Sequence, residues 1–297
     1  MRPPFSIKSS TACQARVPGL ADAVAPLVEA VPARQSGGLR MVVENISHAF
    51  GALPVLEGIG FSVGMGETVA IVGPSGCGKS TLLGVLGGLV KPQVGRVVLQ
   101  GELPAASLNP ITYVFQDFAL LPWRTVAQNI ALVLKHHGLS AAQQRERIDA
   151  CLALTGLTEF ANAFPVQLSG GMKQRAGIAR ALAVRPAVLL MDEPLSALDA
   201  QTRELLMDDF LRLWDEQPTA TVYVTHNLDE ALALADRVLV LSRRPGRIKE
   251  AIEVPIPRRA RRSAECAADM ARLHERLWNH IREEARSADR ELSDGRN

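Results

Sequence analysis

One short segment constrains this chain more than any other. Gly73, Pro74, Ser75, Gly76, Cys77, Gly78, Lys79, Ser80 and Thr81 fit the pattern G-x-x-x-x-G-K-[ST]. Thr68 to Val72 is a β-branched apolar run that suits a buried parallel strand, and Thr81 leads into an apolar helix start at Leu82 and Leu83. Glycines let the backbone turn back so that successive N–H groups converge on phosphate oxygens. The helix that follows adds the positive end of its dipole. Lys79 supplies a mobile charge for terminal phosphates, Ser80 a hydroxyl for Mg²⁺, and Thr81 a contact to the innermost phosphate. A plain glycine-rich turn would not need Lys and Ser at this spacing. Cys77 reads as a small filler within the loop rather than as a redox switch.

The surrounding pattern is α/β. Strand candidates lie at Arg40–Ile46, Gly60–Val63, Ala187–Met191, Thr221–Thr225 and Arg237–Leu241. Helical patterns run over Thr202–Asp215 and Asp229–Ala235 between them. Residues 117–183 lack strand signals, with helices expected at Leu139–Leu154 and Gly171–Val184, so a helical insert is expected there. The chain divides into an irregular, proline-rich leader (1–39), the α/β unit (40–250) and a basic, largely helical extension (251–297).

A second motif adds chemistry to the loop. Val188 to Met191 is an apolar run that ends in Asp192 and Glu193. A carboxylate at the end of a buried strand is costly unless it meets a cation, so Asp192 is a candidate Mg²⁺ ligand. Glu193 is a candidate to polarise a water for attack on a terminal phosphate, as a general base does.

Leu168, Ser169, Gly170, Gly171, Gln174 and Arg175 name a family. The run resembles the signature motif of the ATP-binding cassette (ABC) ATPases, and the phosphate loop resembles their Walker A motif. Gln116 resembles the Q-loop glutamine, Ser196 to Asp199 the D-loop, and His226 the switch histidine. Phe50 stands where the family commonly has a Tyr that stacks on adenine. The resemblance covers about residues 40–245. It implies a RecA-like P-loop NTPase core with a small antiparallel β subdomain and an inserted helical subdomain. It also implies ATP and Mg²⁺ as cofactors, and a homodimer sandwiching two ATP molecules. In that arrangement Ser169, Gly170, Gly171 and Gln174 face the partner's ATP. His226 contacts the terminal phosphate, Gln116 helps bind Mg²⁺, and Asp199 links the two sites.

The string Leu120, Leu121, Pro122, Trp123, Arg124, Thr125, Val126 resembles the nitrate, sulfonate and taurine importer ATPases, as does Ser242 to Ile248. The resemblance implies a subunit peripheral to the cytoplasmic face of a bacterial inner membrane. It would serve two transmembrane permease subunits and, indirectly, a periplasmic solute-binding protein. The segment after Gln116 would dock the permease. The expected solute is a small anion such as a sulfonate, taurine or nitrate. The other reading is a soluble ABC ATPase acting on nucleic acid or ribosomes. A single cassette, only 52 positions from Gln116 to Leu168, and no uniformly basic surface weigh against it. No run of apolar residues reaches spanning length, no convincing signal peptide opens the chain, and four scattered cysteines suit a reduced compartment.

Charge is uneven. Residues 41–242 carry fourteen basic and nineteen acidic side chains, whereas residues 243–297 carry fourteen and ten. In the extension, Arg258, Arg259, Arg261 and Arg262 cluster before an apolar stripe of Met270, Leu273, Leu277 and Ile281 at helical spacing. The stripe is expected to dock on its own domain, with a partner contact as the alternative. For the arginines the expectation is proximity to an anionic membrane face.

Overall fold

The computed structural model describes residues 38–294 except 197, so the expectations for the leader lie outside the described residues. Two sheets form the frame. The smaller is antiparallel, with β1 (Arg40–Phe50) between β2 (Leu53–Gly64) and β4 (Val94–Gln100). The larger has six strands in the order β5, β6, β7, β3, β8, β9. These are β3 (Thr68–Val72), β5 (Ile111–Val114), β6 (Val188–Asp192), β7 (Ala220–Val224), β8 (Arg237–Leu241) and β9 (Ile248–Glu253). All its pairings are parallel except β8 with β9.

β3, β7 and β8 are buried along their whole length, which is why they read as continuous apolar runs. β4 and β5 escape that signal. β4 has no buried residue and β5 has one, Val114. β2 is longer than expected because its first half leans on the outside of the phosphate loop, where Val55 and Leu56 are buried.

Helix α1 (Lys79–Leu86) is the next element after β3, across the loop 73–78. α2 (Val126–Leu134), α3 (Ala141–Leu154) and α4 (Gly170–Leu182) fall between β5 and β6. α2 was not expected. Thr125 and Gln128 close a capping box at its start, hidden in the string around Trp123. The three helices share a core of Ile130, Leu134, Leu152 and Ile178 that continues into α5 (Ala200–Glu216) through Leu206, Phe210 and Trp214. A second core fills the space between the two sheets, with Phe61, Ile71, Leu82 and Val222.

The extension is part of the same body. α7 (Ala267–Asp294) packs its stripe against α6 (Leu228–Leu234) and β8, with Leu277 fully buried and Met270, Leu273 and Ile281 around it. The boundary drawn at 250 falls inside β9. Each member of the arginine cluster also has an internal partner, although Arg259 and Arg262 remain exposed. Arg258 reaches Asp236 at 2.5 Å and Thr68 Oγ1 at 3.0 Å. Arg259 pairs with Asp215 at 2.5 Å and Arg262 with Asp208 at 2.6 Å. Arg261 is 5% exposed and donates to the carbonyls of Leu232, Ala233, Ala235 and Ile256. Burial pushes its guanidinium down to about 10, opposed by Asp236. Among the described residues no helix is long and apolar enough to cross a membrane.

Candidate functional site

β3, β6 and β7 run parallel and side by side, so their C-terminal ends open onto one edge of the sheet. Ligands of open α/β sheets bind at such edges. Gly73 to Gly78 leave β3 there as a loop capped onto α1. Gly78 takes φ 104°, and a Cβ on it would lie 2.9 Å from Leu56 Cδ2 and 3.0 Å from the Val55 carbonyl. No other residue type fits that turn without displacing β2. Lys79 is 7% exposed, and its ammonium bridges the loop, donating to Gly73 O at 2.8 Å and Pro74 O at 3.0 Å. Cys77 is buried, and burial raises its thiol pKa. That environment suits filler rather than a reactive thiolate.

The carboxylate pair divides at the end of β6. Asp192 accepts from Ser80 Oγ at 3.3 Å and from Tyr113 Oη at 3.2 Å. Burial raises its pKa, partly offset by those two hydrogen bonds. The Tyr113 phenol is itself raised by burial and by Asp192. A hydroxyl and a carboxylate are hard oxygen donors, and Mg²⁺ takes few protein ligands while keeping waters and phosphate oxygens. Among the described residues no cluster of three His, Cys, Asp or Glu offers an all-protein cage. The Ser80–Asp192 pair therefore fits Mg²⁺ held together with a phosphate.

Glu193 takes φ 45°, unusual for a non-glycine residue. Its N–H donates to Val224 O at 2.9 Å, and its Oε2 lies 3.1 Å from His226 Nδ1. The His226 side chain is 61% exposed, so its other ring nitrogen is open to a ligand. Gln116 Nε2 donates to Ser196 Oγ at 3.4 Å, and that hydroxyl donates to the Glu193 carbonyl at 2.9 Å. Gln116, Ser196, Glu193 and His226 thus form one chain of contacts beside the loop. Behind them, Glu230 is buried and accepts from Tyr223 Oη at 2.9 Å and Thr225 Oγ1 at 2.8 Å, and Arg203 Nε lies 3.3 Å away.

The signature residues sit elsewhere. Ser169 caps α4, accepting from Met172 N at 3.3 Å, and Ser169 and Gly170 are exposed. Gly171 abuts α5, where an added Cβ would lie 2.8 Å from Thr202 Cγ2. Asp199 caps α5, its two oxygens accepting from Thr202 N and Thr202 Oγ1 at 2.9 and 2.8 Å. The Thr202 N–H and then its hydroxyl lower the Asp199 pKa. Gln174 departs from expectation. It is 1% exposed on the inner face of α4, with both amide atoms unpartnered, and is not presented beside Ser169. Phe50 is exposed at the β1–β2 turn, edge-on to His48 at 4.8 Å.

Sequence reasoning did not single out the residues that brace the segment after Gln116. Asn129 is fully buried and donates to the carbonyls of Leu121, Arg124 and Thr125, while its Oδ1 accepts from Leu121 N. That clamp leaves Trp123 70% exposed. Arg180 on α4 donates to Ala119 O at 2.8 Å and Phe118 O at 2.5 Å, and Phe118 lies in the notch at Gly177. A cavity of about 300 Å³ opens alongside, lined by Tyr113, Phe115, His136, His137 and Arg180.

Comparison with known proteins agrees with this geometry. A family model described as ABC transporter matches residues 56–196. A nitrate import ATP-binding protein of Synechococcus elongatus is 45% identical over 72% of this chain and 79% of its own. A bicarbonate transport ATP-binding protein of the same organism is 41% identical over 73% of this chain and 81% of its own. A solved dimeric structure of a bacterial ABC transporter cassette matches with a TM-score of 0.63 at 33% identity, covering 73% of this chain and all of that one. The same cassette solved after hydrolysis, with ADP and Pi, gives 0.62. With the loop, the acidic pair and the exposed histidine gathered at one sheet edge, this chain belongs to the ABC transporter family as an ATP-hydrolysing, ATP-binding subunit.

Proposed function

We propose that this chain energises import of a small anion through a membrane ABC transporter. The observation that carries the reading is the Glu193–His226 contact beside the Lys79 loop, in a chain whose relatives bear nitrate and bicarbonate transport names. The loop N–H groups and Lys79 bind the ATP phosphates, and Phe50 offers a ring for the adenine to stack on. Ser80 and Asp192, with Gln116, would hold Mg²⁺, which when bound neutralises charge on the phosphates. Glu193 accepts the proton of the attacking water, and His226 holds the Glu193 carboxylate in place and faces the terminal phosphate. Ser169 and Gly170 open a helix whose N–H groups suit the phosphates of an ATP held by a second copy. Two copies therefore enclose two ATP molecules.

Phe115 and Phe118 line the apolar cavity that also takes the Arg180 guanidinium, and Trp123 stands exposed further along the same segment; both features suit docking of a helix of a permease subunit. The complex would place this chain at the cytoplasmic face of the membrane, with a periplasmic binding protein delivering the solute. Reconstituting the chain with its permease and binding protein in vesicles tests the reading. ATP hydrolysis is expected to rise with nitrate, bicarbonate, taurine or a sulfonate outside. Stimulation by nucleic acid or ribosomes, with none by any anion, would overturn it.

A further inference from the structure

The loop over residues 242–247 joins three parts of the molecule. Against β2, Gly246 N donates to Val55 O at 2.8 Å and Glu57 N donates to Gly246 O at 3.0 Å. Arg247 also pairs with Glu57 at 2.5 Å. Against the phosphate loop the approach is so close that a Cβ on Gly246 would lie 2.4 Å from the Cys77 carbonyl. Arg244 donates to Gly76 O from Nε at 3.1 Å and from Nη2 at 3.0 Å. Against α7, the Arg243 N–H donates to Glu284 Oε2 at 2.8 Å. Glu284 is 8% exposed, and Lys249 Nζ holds its other oxygen at 2.8 Å.

The Gly76–Cys77 peptide is trans, so its C=O and N–H point opposite ways. Holding the Gly76 carbonyl fixes the plane of that peptide and with it the direction of the Cys77 N–H, which donates to Pro74 O at 3.3 Å. The orientation of that N–H is part of how such a loop presents donors to phosphate.

We propose that Arg244 and Glu284 are positioning residues for nucleotide binding. Glu284 on the C-terminal helix fixes the 242–247 loop, and Arg244 on that loop fixes the peptide of Gly76. The extension thereby sets the affinity of the phosphate loop without touching nucleotide. The inference rests on the loop at Gly73–Thr81 being the nucleotide site.

The test uses the full chain and MgATP, reading equilibrium binding, KM and kcat. Arg244→Met and Glu284→Gln are each expected to weaken MgATP binding about tenfold, the scale of one hydrogen bond to a charged group. KM rises with it, while kcat at saturating ATP stays within about twofold. Arg244→Lys, which keeps a donor for Gly76 O, is expected to restore most of the affinity. The double variant is expected to bind about as weakly as either single one, because both act through one loop. Unchanged affinity in Glu284→Gln with a lowered melting midpoint would make Glu284 a docking residue only and overturn the proposal. Additive losses in the double variant would also overturn it. Arg244 is exposed, so its variants are expected to fold. Lys79→Ala separates the two claims. If it binds MgATP like the parent, the nucleotide-site assignment fails; if it loses binding while Arg244→Met does not, only the positioning role fails.

Discussion

The nucleotide cleft and the C-terminal extension are both rich in charge, and they use it in opposite ways. In the cleft, two side chains at the ends of the strands keep spare capacity. His226 is largely exposed with one ring nitrogen on Glu193, and Asp192 is held by two neutral hydroxyls rather than a cation. In the extension, charge is spent on structure. Arg261 is enclosed by carbonyls, Arg258 is tied to Asp236 and Thr68, and Glu284 is held by Lys249 and a backbone N–H. A charged group whose partners are complete is committed to the fold; one with open valences is available for chemistry.

That contrast is easily attacked by substitution. The largest effect belongs to the cleft. Glu193→Gln keeps the shape and removes the base, so kcat is expected to fall about 10²–10⁴-fold with the melting midpoint unchanged. Parent-like hydrolysis would remove Glu193 from the chemistry. Next comes Leu277→Ala, which opens a cavity under α7 and is expected to cost ~2–5 kcal/mol in urea unfolding. A cost near zero would mean that the extension is not part of the cooperative unit. The smallest effects separate adjacent arginines. Arg261→Ala strands buried carbonyls and is expected to cost ~1–3 kcal/mol, whereas Arg262→Ala loses an exposed pair worth less than ~1 kcal/mol. Equal costs would erase the distinction between enclosed and surface charge.

The same contrast explains what could be read from sequence. Phosphate chemistry needs backbone N–H groups and a lysine within one turn, so the Gly73–Thr81 loop is legible locally. Glu193 and His226 were legible as motif members, although 33 positions separate them. The partners of the arginine cluster were not. Asp236, Asp215 and Asp208 lie 22, 44 and 54 positions from their arginines, and no local pattern announces them. From sequence alone the cluster therefore reads as unpaired positive charge. Tyr113 was missed as a partner of Asp192 because β5, with a single buried residue, carries too weak a strand signal to place it. The burial of Gln174 is not legible either, because a signature motif fixes residue order, not which side of α4 faces inward.

The Arg180 bridge to the carbonyls of Phe118 and Ala119 has a mechanical consequence. With Phe118 seated in the Gly177 notch, the segment just after Gln116 is bolted to the helix that carries Ser169 and Gly170 at its tip. A force on Trp123 would then find little slack to take up. It would turn α4 like a crank, moving the signature end and tugging on Gln116 in a single stroke.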